Sequence, residues 1–325
     1  MVGTRPAPRC PGTPGAGGED RAVRGRRLCA LAEPYLLLFP ALAVLALFFF
    51  GPALFNILLS FQSISLFELG RGGTWAGFAN FVALVRDPLT GLALSNTVFW
   101  LTLVTVSLRI GLGLALALLL NSVVIRRWRL SGLARSLVLI PWVTPPVVAV
   151  AAWQWLLQAR YGAINQILVE VGLLQDGIPF LARASTVWWA VSAIIVWREL
   201  PFVVIALLAG LQSIPGELYE AARIDGASEP RILWRVTLPL LRPVLAVVTL
   251  LITIWTFNNF LYVWLATRGG PGVKTQVLAT QMYLEAFVNY RLGYGAAVGV
   301  LMGLIMLAFS IVYFNTAFKR SLGQA

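Results

Sequence analysis

Residues 34–67, 136–159, 243–267 and 292–318 of this chain contain no charged side chain. Residues 88–125 contain one, Arg109, and residues 184–216 contain two, Arg198 and Glu199. A helix that crosses about 30 Å of hydrocarbon needs roughly 20 apolar residues, and each stretch is long enough. With 59% of its 325 residues hydrophobic, 12% charged and a mean hydropathy of +0.82, the chain has more apolar surface than a soluble interior of this size can hide. The pattern excludes a soluble enzyme, a disordered regulator and a secreted disulfide scaffold. It predicts an all-α polytopic membrane protein with six transmembrane helices, at about 35–59, 97–120, 134–157, 186–208, 243–265 and 296–317. The first is not expected to be a cleaved signal, since a long polar lead precedes it and no small-x-small site follows.

The basic residues give these spans a sidedness. Sixteen lie in the N-terminal tail, the second and fourth loops and the C-terminus, from Arg5 to Arg27, Arg126 to Arg135, Arg223 to Arg242, and Lys319 with Arg320. Seven lie in the opposite loops: Arg71, Arg86, Arg160, Arg183, Arg268, Lys274 and Arg291. The positive-inside rule predicts both termini in the cytoplasm. Much of the net charge of +12 is then topological, and no basic stripe interleaved with aromatics points to nucleic acid. Residues 1–33, rich in Pro, Gly and Arg, are expected to form a disordered basic cytoplasmic tail, with a transmembrane domain over 34–325.

The chain has no histidine, so a Ser-His-Asp triad, a Cys-His pair and a His-based zinc site are excluded within it. Its two cysteines, Cys10 and Cys29, do not form a metal site or a disulfide framework. No metal, cofactor or catalytic residue is expected.

The fourth loop, 211–239, departs from the apolar pattern and holds four of the 13 acids: Glu217, Glu220, Asp225 and Glu229. It encodes two short helices. Ser213 is the expected N-cap of the first, with Pro215 in its first turn and Glu217 at the positive end of its dipole. Asp225 and Gly226 end it, glycine supplying the left-handed residue. Ser228 caps the second, with Glu229 and Pro230 in its first turn, and Pro239 and Pro243 are expected to mark a bend into the fifth span. Small Ala221, Ala222, Gly226 and Ala227 flanked by apolar Leu218, Ile224, Leu233 and Trp234 suit insertion of a helix into a partner's groove.

Glu220-Ala221-Ala222, Gly226 after three residues, then Val236-x-Leu238-Pro239 after nine resembles the EAA signature of bacterial and archaeal ATP-binding-cassette importer permeases. The family pattern has Ile or a similar residue where Val236 stands. The resemblance covers residues 34–320, with the core at about 92–318, and implies the type I importer permease fold. It makes 211–239 a coupling helix that docks on an ATPase, with Glu217, Glu220, Ala221, Ala222, Asp225, Gly226 and Pro239 in the contact. It implies a second homologous permease, two ATP-binding-cassette ATPase subunits that carry the ATP and Mg, and an extracytoplasmic solute-binding protein. Trp75-Ala-Gly-Phe-Ala-Asn80-Phe81, Ser95-Asn96-Thr97, Trp255-Thr-Phe-Asn-Asn259-Phe, Thr267-Arg-Gly-Gly-Pro271, Tyr283-Leu-Glu-Ala-Phe287 and Gly293-Tyr-Gly-Ala-Ala297 are similar to the first permease subunit of carbohydrate importers, the maltose- and glycerol-phosphate-type group.

Arg109, Arg198 and Glu199 are the ionisable groups well inside the predicted spans. Such groups are costly in lipid. They are expected to be structural clamps, the arginines pairing with Glu199 or another carboxylate, or electrostatic guides for a phosphorylated cargo. Arg198 and Glu199 are neighbours and should project about 100° apart, too far to serve one another well. Sugars are recognised by flat rings and amides, which Trp153, Gln154, Trp155, Trp255, Asn258 and Asn259 supply. The alternatives are interfacial placement for the tryptophans and interhelical hydrogen bonds for the two asparagines.

The chain has no Walker A pattern, so it is not expected to hydrolyse ATP. An ion-coupled secondary transporter is the alternative reading, and an intramembrane enzyme a weaker third.

Overall fold

A computed structural model describes residues 38–122 and 131–318. The predicted N-terminal tail lies outside them. The chain divides into two compact units, residues 1–56 and 57–325. The described part of the first is helical, and its side chains from Leu38 to Phe55 are exposed and mostly apolar, as a lipid-facing helix requires.

Among the described residues, five helices are long and apolar enough to cross a membrane, or six if a bent pair counts as one span. Numbered in chain order with the shorter elements, the first is α1 (Leu38–Ser60). A two-stranded antiparallel hairpin follows, β1 (Gln62–Ser63) and β2 (Thr74–Trp75), paired Gln62 to Trp75 and Ser63 to Thr74. Then come α2 (Ala79–Arg86) and the second long helix α3 (Pro88–Asn121). Asp87 caps α3, its Oδ1 accepting the Leu89 N–H at 2.9 Å with Pro88 at the first position. This helix starts nine residues before the predicted 97–120 span.

The predicted third span, 134–157, is not one helix. It is α4 (Ser131–Val143) and α5 (Pro146–Leu156), bent by 94° at the break. The cause is local. Thr144 precedes a proline, which drives it out of the helical region, and neither Pro145 nor Pro146 has an N–H to continue the ladder. Pro145 is extended, with φ −55° and ψ 136°.

After α6 (Ala163–Glu170), the long helix α7 (Val187–Gln212) passes through the centre of the second unit. It buries Val191, Ile194 and Ile195 in one apolar cluster and Val203, Val204, Leu207 and Leu211 in another. Short α8 (Gly216–Ile224) then leads into the long α9 (Glu229–Phe257). Pro239 and Pro243, expected to mark a bend into the fifth span, lie within this helix and do not break it. Helical hydrogen bonding continues from Glu229 to Phe257, loosened to a π pattern over Leu233–Thr237. The predicted fifth span also ends early, at Phe257. There the Asn258 amide donates to the Ile254 carbonyl at 2.9 Å and Asn259 Oδ1 accepts the Tyr262 N–H at 3.2 Å, competing with the helix ladder.

Short α10 (Leu261–Thr267) and α11 (Leu278–Tyr283) precede the last long helix, α12 (Leu292–Thr316). The segment between α10 and α11 is pinned to α3. Asn96 donates to the Lys274 carbonyl at 3.0 Å and the Gln276 carbonyl at 2.8 Å, and Thr97 Oγ1 accepts the Leu278 N–H at 2.9 Å.

Candidate functional site

The end of α7, one face of α8 (Gly216, Tyr219, Glu220, Arg223) and the start of α9 surround a cleft of about 1070 Å³, closed on its other side by Leu118 and Asn121 at the end of α3 and by Ser122 just after it. Glu220, Arg223 and Glu229 face it. α8 begins at Gly216 behind Pro215, not behind Ser213. Ser213 instead closes α7, its Oγ donating to the Gly210 carbonyl at 2.8 Å, so the expected N-cap is a C-cap. A serine there serves whichever helix end has unsatisfied groups, and Pro215 already fixes the entry to α8.

The other end of α8 matches the sequence expectation. Asp225 is its C-cap and Gly226 adopts φ +74°. Ala227 N–H reaches the Ala222 carbonyl at 2.9 Å and Gly226 N–H the Arg223 carbonyl at 3.0 Å, the paired bonds of a Schellman motif. Arg223 Nε then bridges the turn to Glu229 Oε1 at 3.1 Å. Both side chains are exposed, so this pair contributes little stability and serves mainly to orient α8 on the start of α9. Ser228 is the N-cap of α9, without a side-chain capping bond.

No residue of α8 is buried. Glu217, Glu220, Ala221 and Asp225 are exposed and Ala222 is half-buried, while Pro239 sits half-buried within α9. Exposed apolar side chains accompany them: Ile224 is 87% exposed, Trp234 71% and Leu218 42%. An amphipathic helix joined to two long apolar helices, with its apolar side chains uncovered, has the form of a partner's ligand.

A second polar feature lies within the long helices. Arg198 Nη1 and Glu199 Oε1 are 2.7 Å apart, which corrects the expectation that neighbours on a helix would not pair. The long arginine stem folds back around the helix far enough to cancel the 100° offset. Tyr262 in α10 donates to the same Glu199 oxygen at 2.7 Å, and Arg198 Nε lies 3.4 Å from the Thr144 carbonyl, the last of α4 before the bend. Arg109 behaves differently. It is 2% exposed and, among the described residues, is in no ion pair; it donates to the Ile252 carbonyl at 3.3 Å and to Thr256 Oγ1. Burial removes it from any cargo.

The amides expected to meet a sugar each engage the backbone through one end. Gln154 donates to the carbonyls of Leu265 and Ala266 at 2.9 and 3.3 Å, tying α5 to α10. Asn258 and Asn259 make the local bonds that end α9, not interhelical ones. The aromatics remain available. Trp153 meets Trp197 edge-on at 5.9 Å, Phe202 lies 5.0 Å from Trp255 and 6.2 Å from Trp142, and Trp255 is 50% exposed. Trp155 is 61% exposed beside Tyr161. Trp142 and Phe202 extend the aromatic surface that Trp153 and Trp255 were expected to form, and Trp197 and Phe202 flank the Arg198–Glu199 pair on α7.

Sequence reasoning missed Tyr262 and Thr144. Thr144-Pro145-Pro146 was a visible signal for the bend, whereas nothing in the sequence placed Tyr262 beside Glu199. Among the described residues, no group of three or more Cys, Asp and Glu side chains is placed to hold a metal ion.

A family model described as binding-protein-dependent transport system inner membrane component matches residues 109–321. The diacetylchitobiose uptake system permease protein DasB of Streptomyces coelicolor is 36% identical over 94% of this chain and 92% of its own length. The sulfoquinovosyl glycerol transport system permease protein SmoG of Agrobacterium fabrum is 35% identical over 89% of this chain and 90% of its own. Among solved structures, a chain of a bacterial alginate ABC transporter in complex with alginate pentasaccharide-bound periplasmic protein matches with a TM-score of 0.75 at 22% identity, covering 91% of this chain and 98% of that one.

Proposed function

This chain belongs to the family of inner membrane components of binding-protein-dependent transport systems and has the type I importer permease fold; from that premise we propose that it is a permease subunit of an ATP-driven importer of a sugar or sugar-like solute. It forms the translocation path with a second, homologous permease. Two separate ATPase subunits hold ATP and Mg and hydrolyse it, and an extracytoplasmic binding protein delivers the cargo. The chain itself performs no catalysis and holds no cofactor. Residues 34–325 form the permease domain, both termini and the loop 211–239 face the cytoplasm, and residues 1–33 are a basic tail.

The observation that carries this reading is the exposed α8, with Ile224 and Trp234 uncovered, Gly226 at φ +74° and Glu220 beside an open cleft. In this reading Glu217, Glu220, Ala221, Ala222, Asp225, Gly226 and Pro239 form the coupling surface, and the apolar side chains enter a groove of the ATPase. The cargo class is supported by the relatives named for diacetylchitobiose uptake and sulfoquinovosyl glycerol transport. Trp153, Trp197, Phe202 and Trp255 offer the flat faces for sugar rings, and the partly exposed Arg198–Glu199 pair offers groups for hydroxyls.

Co-purification of the ATPase subunits, and ATP- and binding-protein-dependent oligosaccharide uptake into vesicles, test the reading. Gly226→Asp and Glu220→Lys are expected to release the ATPase or uncouple it. If both variants assemble and transport normally, the coupling assignment is wrong. ATP-independent uptake by the chain alone would replace the reading with an ion-coupled secondary transporter.

A further inference from the structure

A guanidinium taken out of water inside a span is costly, and its donors must be satisfied by what lies around it. Arg109 of α3 is in this position, 2% exposed. Its Nη2 donates to the Ile252 carbonyl at 3.3 Å and to Thr256 Oγ1, and Thr256 Oγ1 donates to the same Ile252 carbonyl at 2.6 Å. Its Nε has no partner among the described residues. An apolar side chain of similar length would fill the space without the desolvation cost. What arginine adds is a charged, directional clasp on one turn of α9.

That turn has a particular place in the fold. α9 runs unbroken from Glu229, on the rim of the cleft, to Phe257. At 1.5 Å per residue, Thr256 lies about 40 Å along the helix from Glu229. Just beyond it the helix stops, and Tyr262 reaches Glu199 at 2.7 Å. The clasp therefore grips the end of α9 next to the intramembrane cluster and remote from the loop helix α8. One turn further along the same face, α3 is seated on α7. A Cβ on Gly113, four residues after Arg109, would come within 2.6 Å of Val203 Cγ1. α3 is thus in close contact with α7, and it holds the end of α9 through a small polar contact.

We propose that Arg109 is a positioning residue for coupling: it fixes the end of α9 to the α3–α7 frame, so that movement of α8 is delivered through α9 to the Arg198–Glu199–Tyr262 cluster. This rests on the function proposed above. Coupling of this kind is carried by rigid elements whose contacts have two arrangements, and α9 supplies the continuous element.

The test uses the assembled importer with Arg109→Met, Arg109→Lys and Thr256→Val. ATPase activity is measured with and without cargo-loaded binding protein, together with uptake. Basal ATPase is expected to stay within about twofold of wild type, and cargo stimulation to fall about tenfold in Arg109→Met. A smaller fall is expected in Thr256→Val, and partial recovery in Arg109→Lys, which keeps the charge but loses the planar fork. A merely structural role would instead lower the yield of assembled complex and leave the stimulation ratio untouched. If Arg109→Met does not assemble, Thr256→Val decides: wild-type stimulation in it overturns the proposal. Normal stimulation in wild type and all three variants removes this inference alone. Absence of stimulation in wild type removes the proposed function and the inference with it.

Discussion

The Tyr262 hydroxyl donates to Glu199 Oε1 at 2.7 Å, joining α10 to α7 across 63 positions of sequence. The same oxygen is 2.7 Å from Arg198 Nη1, and Arg198 Nε lies 3.4 Å from the carbonyl that the bend at Thr144 leaves without a helix partner. The Glu199 carboxylate thereby joins α10 to α7, and its partner Arg198 extends the link to the bend at Thr144.

This arrangement sets an order of effects. Tyr262→Phe removes one donor and leaves the ion pair, which is expected to cost about 1 kcal/mol. Glu199→Gln removes the charge that compensates Arg198. With both side chains 17% exposed, water retains part of the solvation, and the expected cost is about 1–3 kcal/mol. Thermal unfolding of the purified chain in detergent reads both. A larger loss in Tyr262→Phe than in Glu199→Gln would show that the hydroxyl, not the charge, holds the cluster.

Gly226 yields a sharper prediction because two explanations for a glycine separate there. A Cβ at this position would meet nothing within 4 Å, so space does not require glycine; the φ of +74° does. Gly226→Asn, which tolerates the left-handed region, is expected to keep the turn. Gly226→Val is expected to cost at least about 1–2 kcal/mol and to shift α8 against the start of α9. Retention of the ATPase by the two variants on an affinity column measures the difference. Equal retention would mean that the turn geometry does not matter for docking.

Gly113 is the opposite case. Its φ is ordinary, but an added methyl would stand 2.6 Å from Val203 Cγ1 and 3.1 Å from Val203 Cβ. Gly113→Ala is expected to destabilise by about 1–3 kcal/mol through overpacking of α3 on α7. Val203→Ala in the same chain should recover a large part of that loss, since it removes the atoms that clash. A double-mutant cycle followed by unfolding measures the coupling. Additive losses would place the strain elsewhere.

Much of the fold was legible in the sequence for a simple reason. Lipid imposes a length and a polarity on each span that do not depend on its neighbours, so the apolar runs located the long helices, though not the ends of α3 and α9 or the break in the third span. The punctuation of α8 was legible for a similar reason: Asp225, Gly226 and Ser228 act on the backbone within one turn of themselves. One local signal was misread: Ser213 closes the helix before it. Pro239 and Pro243 lie within a helix whose hydrogen bonds widen just ahead of them.

The candidate path was less legible. Gln154, Asn258 and Asn259 have the right chemistry for sugar hydroxyls, but an amide first serves the unsatisfied backbone groups within its reach. Gln154 finds two carbonyls 111 and 112 positions away, and Asn258 finds one on its own helix. Residue type alone could not tell which end of each amide the backbone engages.

From the sequence alone came the solvent of this protein, the approximate positions of its long helices and the segment proposed to meet a partner, because each depends on residues within a turn or a span of one another. The tertiary structure alone decided that Arg198 and Glu199 pair, that Tyr262 joins them, and that Arg109 is buried on the turn of α9 holding Ile252 and Thr256. Those contacts depend on the relative placement of separate helices and on the reach of long side chains. Helical periodicity gives the direction in which a residue leaves its helix, but not where a long flexible chain ends or what waits there.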